Sequence, residues 1–306
     1  MLSLVSRICV LSAALIGLAV PCVYAAPRVV ATIKPVHSLA ASILEGVTEP
    51  DLLLKGAASP HAYALKPSSA KTIGDADAII RASPNLEVFL DKAIRTLPAS
   101  ARIISLEQAP GLVLLPVRDG GEHPGDSEDR EQGGADVHFW LDPLNAIAIA
   151  RFLDQQFSQM DPDHAAQYHA NARKLELKLS ALDAELKEEL AGLSDRPFVV
   201  FHDVTQYFEK RYGLNGLGAI TLSPERAPGA KRLAAVRARI EQAKAICVFS
   251  EPEFPSKLLE TVTIGTNAKR GVLDEVGAAI PPGPDQYFAL MRANAESLSA
   301  CLKSER

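Results

Sequence analysis

Apolar and polar positions follow two periodic patterns along this chain. Short runs rich in β-branched residues alternate with stretches whose apolar residues recur at helical spacing, which predicts mostly parallel sheets covered by helices on both faces. The predicted strands are 29–33, 51–54, 78–82, 102–106, 197–201, 218–222, 246–250 and 271–274. The predicted helices are 37–46, 68–76, 85–97, 144–159, 205–213, 230–245, 257–265 and 285–303.

A different pattern separates the two alternating halves. From Pro162 to Leu193 there is no further proline and no glycine before Gly192, and apolar residues recur at helical spacing. They are Leu175, Leu179, Leu182 and Leu186. We therefore expect a long rigid helix within 161–194 that joins two α/β lobes, 26–160 and 195–306. A crevice between such lobes would offer a ligand site at the carboxyl ends of the strands.

The first 25 residues differ from the rest of the chain. Arg7 precedes an almost uninterrupted apolar run over 8–20, and a small-residue pattern ends at Ala25. This arrangement indicates a secretory signal peptide, cleaved near Ala25, and hence a protein of the periplasm. Cys22 follows Pro21 rather than a small residue, which disfavours processing as a lipoprotein. A buried or amphipathic N-terminal helix is the alternative.

Charge and composition narrow the range of partners. Without Arg7 the mature chain has 31 basic and 37 acidic residues, and no basic motif accompanies this balance, which argues against a nucleic-acid partner. Segment 118–136 holds seven acidic residues, five glycines and no large apolar side chain. We expect a flexible surface loop there. Its single histidine, His123, leaves open whether the loop is an inert insertion or attracts cations.

Cysteine usage predicts one cross-link. Removal of the leader takes Cys9 and Cys22 with it and leaves Cys247 and Cys301. In an oxidising compartment two remaining cysteines pair by default, and the alternative is two free buried thiols. The predicted disulfide would tie the last helix to the sheet of the second lobe.

Three of the seven histidines stand at predicted strand ends or in loops that face the expected crevice, namely His61, His138 and His202. Their spacing alone does not establish a joint site, because histidines at such places are often structural. Asp274, at the end of the last predicted strand, can add a carboxylate oxygen. Three imidazoles and one carboxylate form a tetrahedral set that suits Zn²⁺, whereas Ca²⁺ and Mg²⁺ prefer oxygen shells. Copper is not excluded by these donors.

Five segments carry a resemblance to a known family. They are GAASPHAYALKPS (56–68), HFWLDP (138–143), FVVFHDVTQYFEKRYGL (198–214), CVFSEPEF (247–254) and GVLDEVG (271–277). Together they resemble the high-affinity zinc-uptake solute-binding proteins of bacterial ABC transporters, over nearly the whole mature chain. The resemblance implies two lobes with four-stranded sheets joined by a long helix. It also implies His61, His138 and His202 as zinc ligands, with Asp274 in the fourth position.

The resemblance also implies partners. Zinc would pass to the membrane permease of an ABC importer, and a contact with a periplasmic metallochaperone is left open. We expect the protein to be a monomer.

Some positions bear on the choice of metal and of the fourth ligand. Pro60 stands where some zinc-type relatives have Glu before the first histidine, which favours Asp274. The usual LDPLG string of the family reads LDEVG here, a change that removes a proline beside Asp274. Many relatives have a histidine-rich loop where this chain has an acidic one. Manganese-selective relatives tend to carry Glu at the position of His202, which favours zinc.

Two other classes of protein are alternatives. A zinc hydrolase often uses three protein ligands and a water, but this chain lacks HEXXH and GxSxG and offers no base with an obvious relation to the histidines. A surface adhesin would need exposed apolar or aromatic patches, and only 6% of the residues are aromatic. We therefore expect a binding protein and not an enzyme.

Overall fold

The computed structural model describes residues 26–98, 100–118, 134–221, 224, 228–254 and 257–304. The predicted signal peptide, 1–25, lies outside these residues, as do His123 and most of the acidic segment 118–136. Within the described residues, no helix has the length and apolar character needed to cross a membrane.

Four parallel strands form the first sheet, in the order β2-β1-β3-β4. They are β1 Val29–Ala31, β2 Asp51–Leu52, β3 Ala78–Arg81 and β4 Arg102–Ser105. The central strand β1 is buried along its whole length, as expected for a parallel sheet covered on both faces. The helices of this half are α1 Lys34–Leu44, α2 Pro67–Gly74, α3 Asp91–Ile94 and α4 Pro143–Met160.

The second sheet repeats this topology with the order β6-β5-β7-β8, again with every pair parallel. Its strands are β5 Phe198–Val200, β6 Gly216–Ala219, β7 Cys247–Ser250 and β8 Lys269–Val272. Its helices are α6 Gln206–Tyr212, α7 Ala230–Gln242, α8 Lys257–Thr263 and α9 Gln286–Lys303. Strand β8 ends two residues before the predicted end, because the backbone N–H of Asp274 donates to the side chain of Asn294 instead of to a neighbouring strand.

The helix α5, Ala165–Glu189, connects the two halves and follows a 3-10 turn at Pro162–His164. At 1.5 Å per residue its 25 residues span about 37 Å. The predicted leucine face is buried, and the helix packs against α1, α4 and α9. The predicted fold class, two α/β lobes with four-stranded sheets joined by a long helix, is confirmed.

The two lobes share one continuous cluster of buried apolar side chains, which extends from Val29 in β1 to Leu302 in α9. A smaller cluster around Val199 and Val248 lies against α7 and α8. The residue limits given above for the lobes stay predictions.

The predicted disulfide is confirmed. Cys247, at the start of β7, is bonded to Cys301 in α9, with 6.3 Å between their Cα atoms. The bond ties the last helix to the second sheet. A cross-link that closes a loop of this size contributes about 4 kcal/mol of stability in the chain-entropy account.

Candidate metal centre

The three predicted histidines lie in three separate loops. His61 lies in the loop between β2 and α2, His138 directly precedes a 3-10 turn at Phe139–Leu141, and His202 follows the end of β5 by two residues. The ring centroids of these histidines are 5.2 to 5.3 Å apart. The fold therefore brings together side chains that are far apart in the sequence.

The three imidazoles converge on the carboxylate of Glu275. The Nε2 atoms of His61 and His138 are 3.1 Å apart. Oε2 of Glu275 lies 3.7 Å from Nε2 of His61, 3.2 Å from that of His138 and 3.8 Å from that of His202. A tetrahedral zinc ion with bonds of about 2.0 to 2.1 Å separates its ligand atoms by about 3.3 Å. These four side chains are spaced as a tetrahedral donor set requires.

The ligand atoms of this group are buried and only partly satisfied. Glu275 is 0% exposed and His202 is 3% exposed. Among the described residues, Oε1 of Glu275 and Nε2 of His202 have no hydrogen-bond partner, and Oε2 of Glu275 has contacts only with the three histidines. Buried acceptors without a partner are costly, and a cation bound between them would remove that cost. The donor set therefore fits a metal ion better than it fits a structural polar cluster.

The charges in this group are strongly coupled. Burial alone would raise the pKa of Glu275, but the surrounding histidines, His138 foremost, hold that pKa well below its usual range. Burial opposes protonation of His138, yet Asp136 and Glu275 outweigh it and raise the pKa of His138 to about 10. The pKa of His202 is also raised, against the effect of burial, by Glu251 and Glu275. The electrostatic interactions among the three histidines and the nearby carboxylates thus favour a positive charge at their centre.

A carboxylate orients each of two imidazoles. Nδ1 of His138 donates to Oδ1 of Asp136 at 2.8 Å, and the same oxygen accepts the backbone N–H of His138 at 2.9 Å. Nδ1 of His202 donates to Oε2 of Glu251 at 2.6 Å, and the other oxygen of Glu251 accepts the backbone N–H of His202 at 3.1 Å. A proton held on Nδ1 leaves the Nε2 lone pair free for a metal.

Sequence reasoning missed both of these carboxylates. Asp136 is the last residue of the acidic segment, and the composition of that segment predicts a solvated side chain. Glu251 directly follows β7, whose neighbour in the sheet, β5, precedes His202. The order of the strands is therefore the signal that would have placed Glu251 beside that histidine.

Asp274, the fourth ligand expected from the sequence, has other contacts. Its carboxylate accepts the backbone N–H groups of residues 276–278 at 2.6 to 3.0 Å. Asn294 donates its side-chain amide to the backbone oxygen of Asp274 at 2.7 Å. Asp274 thus caps the turn after β8, and this turn carries Glu275 to the histidines. In place of the expected arrangement, the structure brings Glu275, and not Asp274, into the group.

Trp140 connects two members of the group. Its indole N–H donates to the backbone oxygen of Glu275 at 2.9 Å, and its ring lies edge-on to His138 with centroids 5.5 Å apart. The hydroxyl of Tyr287 in turn donates to the backbone oxygen of Trp140 at 2.7 Å. The side chain of Trp140 therefore fixes the turn that carries Glu275 relative to His138.

The described ends of the acidic segment are anchored next to the site. Arg118 forms ion pairs with Asp203, the residue after His202, and with Glu209 in α6. At the other end, residues 134–136 pair with 115–117 through backbone hydrogen bonds. Both described ends of the segment thus contact a histidine or the residue next to one.

Comparisons with known proteins identify the family of this chain. Residues 29–301 match the family described as zinc-uptake complex component A periplasmic. The chain is 42% identical to the high-affinity zinc uptake system protein ZnuA of Brucella abortus, over 90% of this chain and 91% of that protein.

Solved structures give the same fold. The periplasmic zinc binding protein TroA from Treponema pallidum superposes with a TM-score of 0.78 at 22% identity, covering 90% of this chain and 99% of that one. The SBP FpvC from Pseudomonas aeruginosa, in complex with Mn²⁺, has a TM-score of 0.80 at 20% identity, with coverage of 91% and 99%. At these identities the two structures establish the fold alone.

The family match and the identity to ZnuA confirm the resemblance seen in the sequence. The family consists of periplasmic metal-binding components of zinc uptake, which are not enzymes. The chain belongs to the family of periplasmic zinc-uptake complex component A proteins.

Proposed function

We propose that this protein captures zinc between its two lobes and delivers it to the membrane permease of an ABC importer. The observation that carries the proposal is the convergence of His61, His138 and His202 on the carboxylate of Glu275. In this proposal Glu275, rather than Asp274, is the fourth ligand. Three neutral nitrogen donors and one anionic oxygen donor form a closed tetrahedral set with no position for a catalytic water.

The donor set and its rigidity favour zinc over other cations. Imidazole nitrogen disfavours Ca²⁺ and Mg²⁺, which prefer oxygen. Cu²⁺ binds nitrogen donors more tightly than Zn²⁺ does, but it prefers tetragonal geometry. Asp136 and Glu251 fix the rings of His138 and His202. The donors therefore resist rearrangement from tetrahedral to the tetragonal geometry that Cu²⁺ would require.

The arrangement of ligands suggests how zinc is released. His61 and His138 precede α5 in the chain, whereas His202 and Glu275 follow it. Separation of the two lobes would therefore divide the four donors into two pairs, and neither pair alone can enclose the ion. We propose that docking on the permease separates the lobes and releases zinc in this way.

Metal analysis of the protein, purified from the periplasm without added metal, tests the capture of zinc. We expect about one zinc per chain, and a marked loss of zinc when His61, His138 or His202 is replaced by Ala. His169→Ala is the matched control, because His169 is half exposed and binds Asp154 on the surface instead. A metal-free native protein, or a control that loses zinc equally, would contradict the proposal.

Delivery is tested in the cell. A strain without the gene should fail to grow only under zinc starvation, and a gene that encodes His202→Ala should not restore growth. Growth defects that zinc does not correct would point to another role. The cleaved leader, the monomeric state and a contact with a metallochaperone stay predictions.

A further inference from the structure

A buried lysine links the first lobe to the turn that carries Glu275. Lys34, the first residue of α1, is 5% exposed. Its ammonium donates to three backbone oxygens after β8, those of Gly277 at 2.8 Å, Ala278 at 2.7 Å and Ile280 at 3.0 Å. An ammonium has three N–H donors, so all of them are used on this one turn.

Asp274 binds the same turn through other backbone groups. The carboxylate of Asp274 accepts the N–H groups of residues 276–278, while Lys34 binds carbonyl groups of residues 277–280. Burial lowers the pKa of Lys34, whereas the nearby carboxylates of Asp274 and Glu253 favour its charged form. The turn that includes Glu275 thus binds both a carboxylate and an ammonium group.

The contact between α1 and the second lobe does not depend on Lys34 alone. One turn further along α1, the hydroxyl of Ser38 donates to the backbone oxygen of Pro284 at 2.9 Å and accepts the N–H of Tyr287 at 3.0 Å. These contacts lie beyond the turn that carries Glu275. Lys34 therefore differs from Ser38, because the carbonyl groups that Lys34 binds lie only two to five residues after the proposed ligand Glu275.

We propose that Lys34 is a positioning residue for the metal site. By binding the carbonyl groups of residues 277, 278 and 280 from the other lobe, it keeps Glu275 at the fourth corner of the donor set and slows the loss of zinc. This inference rests on the proposed function, since it takes Glu275 to be a zinc ligand.

A double-mutant cycle tests the proposal. Lys34→Met keeps an unbranched side chain as far as Cε and removes the ammonium with all three donors, and Ser38→Ala is the control on the same helix. Zinc affinity and zinc dissociation are measured by chelator competition, with Lys34→Met in both the wild-type and the Glu275→Gln background. The visible absorption of the Co²⁺ complex reports the ligand set.

We expect Lys34→Met to weaken zinc binding about 10- to 100-fold, the usual effect of residues that orient ligands, through faster dissociation. Its Co²⁺ spectrum should move toward that of Glu275→Gln. In the Glu275→Gln background Lys34→Met should have no further effect, and Ser38→Ala should leave the affinity within about twofold of wild type, as expected for a residue outside the ligand network.

Two results would overturn the role of Lys34, namely wild-type affinity in Lys34→Met, or an equal loss in both backgrounds, which would indicate general destabilisation. If Glu275→Gln itself binds zinc like the wild type, the proposed ligand fails instead, and the two failures are distinguishable. Circular dichroism checks that each variant is folded. If Lys34→Met is unfolded, Lys34→Gln, which is shorter, uncharged and has too few N–H donors for the three carbonyl groups, enters the same cycle under the same criteria.

Discussion

Asp274 and Glu275 are neighbours in the chain, but their carboxylates face different partners. Glu275 lies 3.2 to 3.8 Å from three imidazole nitrogens, whereas Asp274 accepts three backbone N–H groups of the turn that follows it. In the proposed site, Glu275 supplies a ligand and Asp274 shapes the turn that presents it. Their contributions to zinc affinity and to stability should therefore separate.

Glu275→Gln should weaken zinc binding by more than about 100-fold. Loss of a residue that only orients a ligand lowers metal affinity about 10- to 100-fold, and loss of a ligand itself should cost more. Asp274→Asn should lower the zinc affinity less, but it should reduce the free energy of unfolding of the metal-free protein by about 1 to 3 kcal/mol, since it replaces one part-buried carboxylate oxygen by an amide group that cannot accept backbone N–H groups. Chelator competition and urea denaturation measure the two quantities. A larger loss of affinity in Asp274→Asn would make Asp274 the ligand.

Most of the fold could be predicted from the sequence, and the three predicted histidines lie together in the structure, but the carboxylate that lies beside them is that of Glu275 and not that of Asp274. Alternation of β-rich and helical stretches, together with the leucine spacing of α5, places the strands and helices within a few residues. The end of β8 at Val272 could not be predicted in this way. The backbone N–H of Asp274 donates to the side chain of Asn294, 20 residues further along the chain, and this contact is not visible in a local pattern.

One signal in the sequence did point to Glu275. The change from LDPLG to LDEVG removes a proline beside Asp274, and it also adds a carboxylate at position 275. A substitution that introduces a possible ligand next to a predicted one is informative, even when it departs from the family pattern.

The carboxylates that orient the rings should matter for affinity. Glu251→Gln leaves one acceptor oxygen for two donors, the Nδ1–H and the backbone N–H of His202. We expect zinc binding to weaken about 10- to 100-fold. Glu241→Gln is the control, because Glu241 is half exposed and pairs with Arg237 on the surface of α7. Equal affinities for both variants and the wild type would show that Glu251 does not orient a ligand.

Zinc affinity should fall as the pH falls, because a proton and a zinc ion compete for the same Nε2 atom. The pKa values of His138 and His202 are raised in the metal-free protein. A raised pKa means tighter proton binding, so zinc binding at neutral pH should release protons, and the loss of affinity should begin above the ordinary imidazole pKa of about 6.5. Chelator competition between pH 8 and pH 5 measures this profile. A flat profile is incompatible with a histidine shell.

The acidic segment should be dispensable for tight binding. Replacing 119–133 by a short glycine linker should preserve one zinc site of unchanged affinity, because the backbone N–H of Val117 and the oxygen of Gly134 are only 3.2 Å apart. Asp136, which orients His138, must be retained. Calorimetry measures the affinity, and stopped-flow mixing at low salt should show modestly slower capture. Loss of the tight site would place a ligand within the deleted residues.

The central claim is that His61, His138, His202 and Glu275 together hold the zinc ion. Anomalous diffraction at the zinc edge, from crystals of the one-to-one complex, tests it most directly. We predict a single strong peak about 2.0 to 2.2 Å from Nε2 of each of the three histidines and from one carboxylate oxygen of Glu275. A peak bonded to Asp274 in place of Glu275, or a peak away from the three imidazoles, would contradict the account.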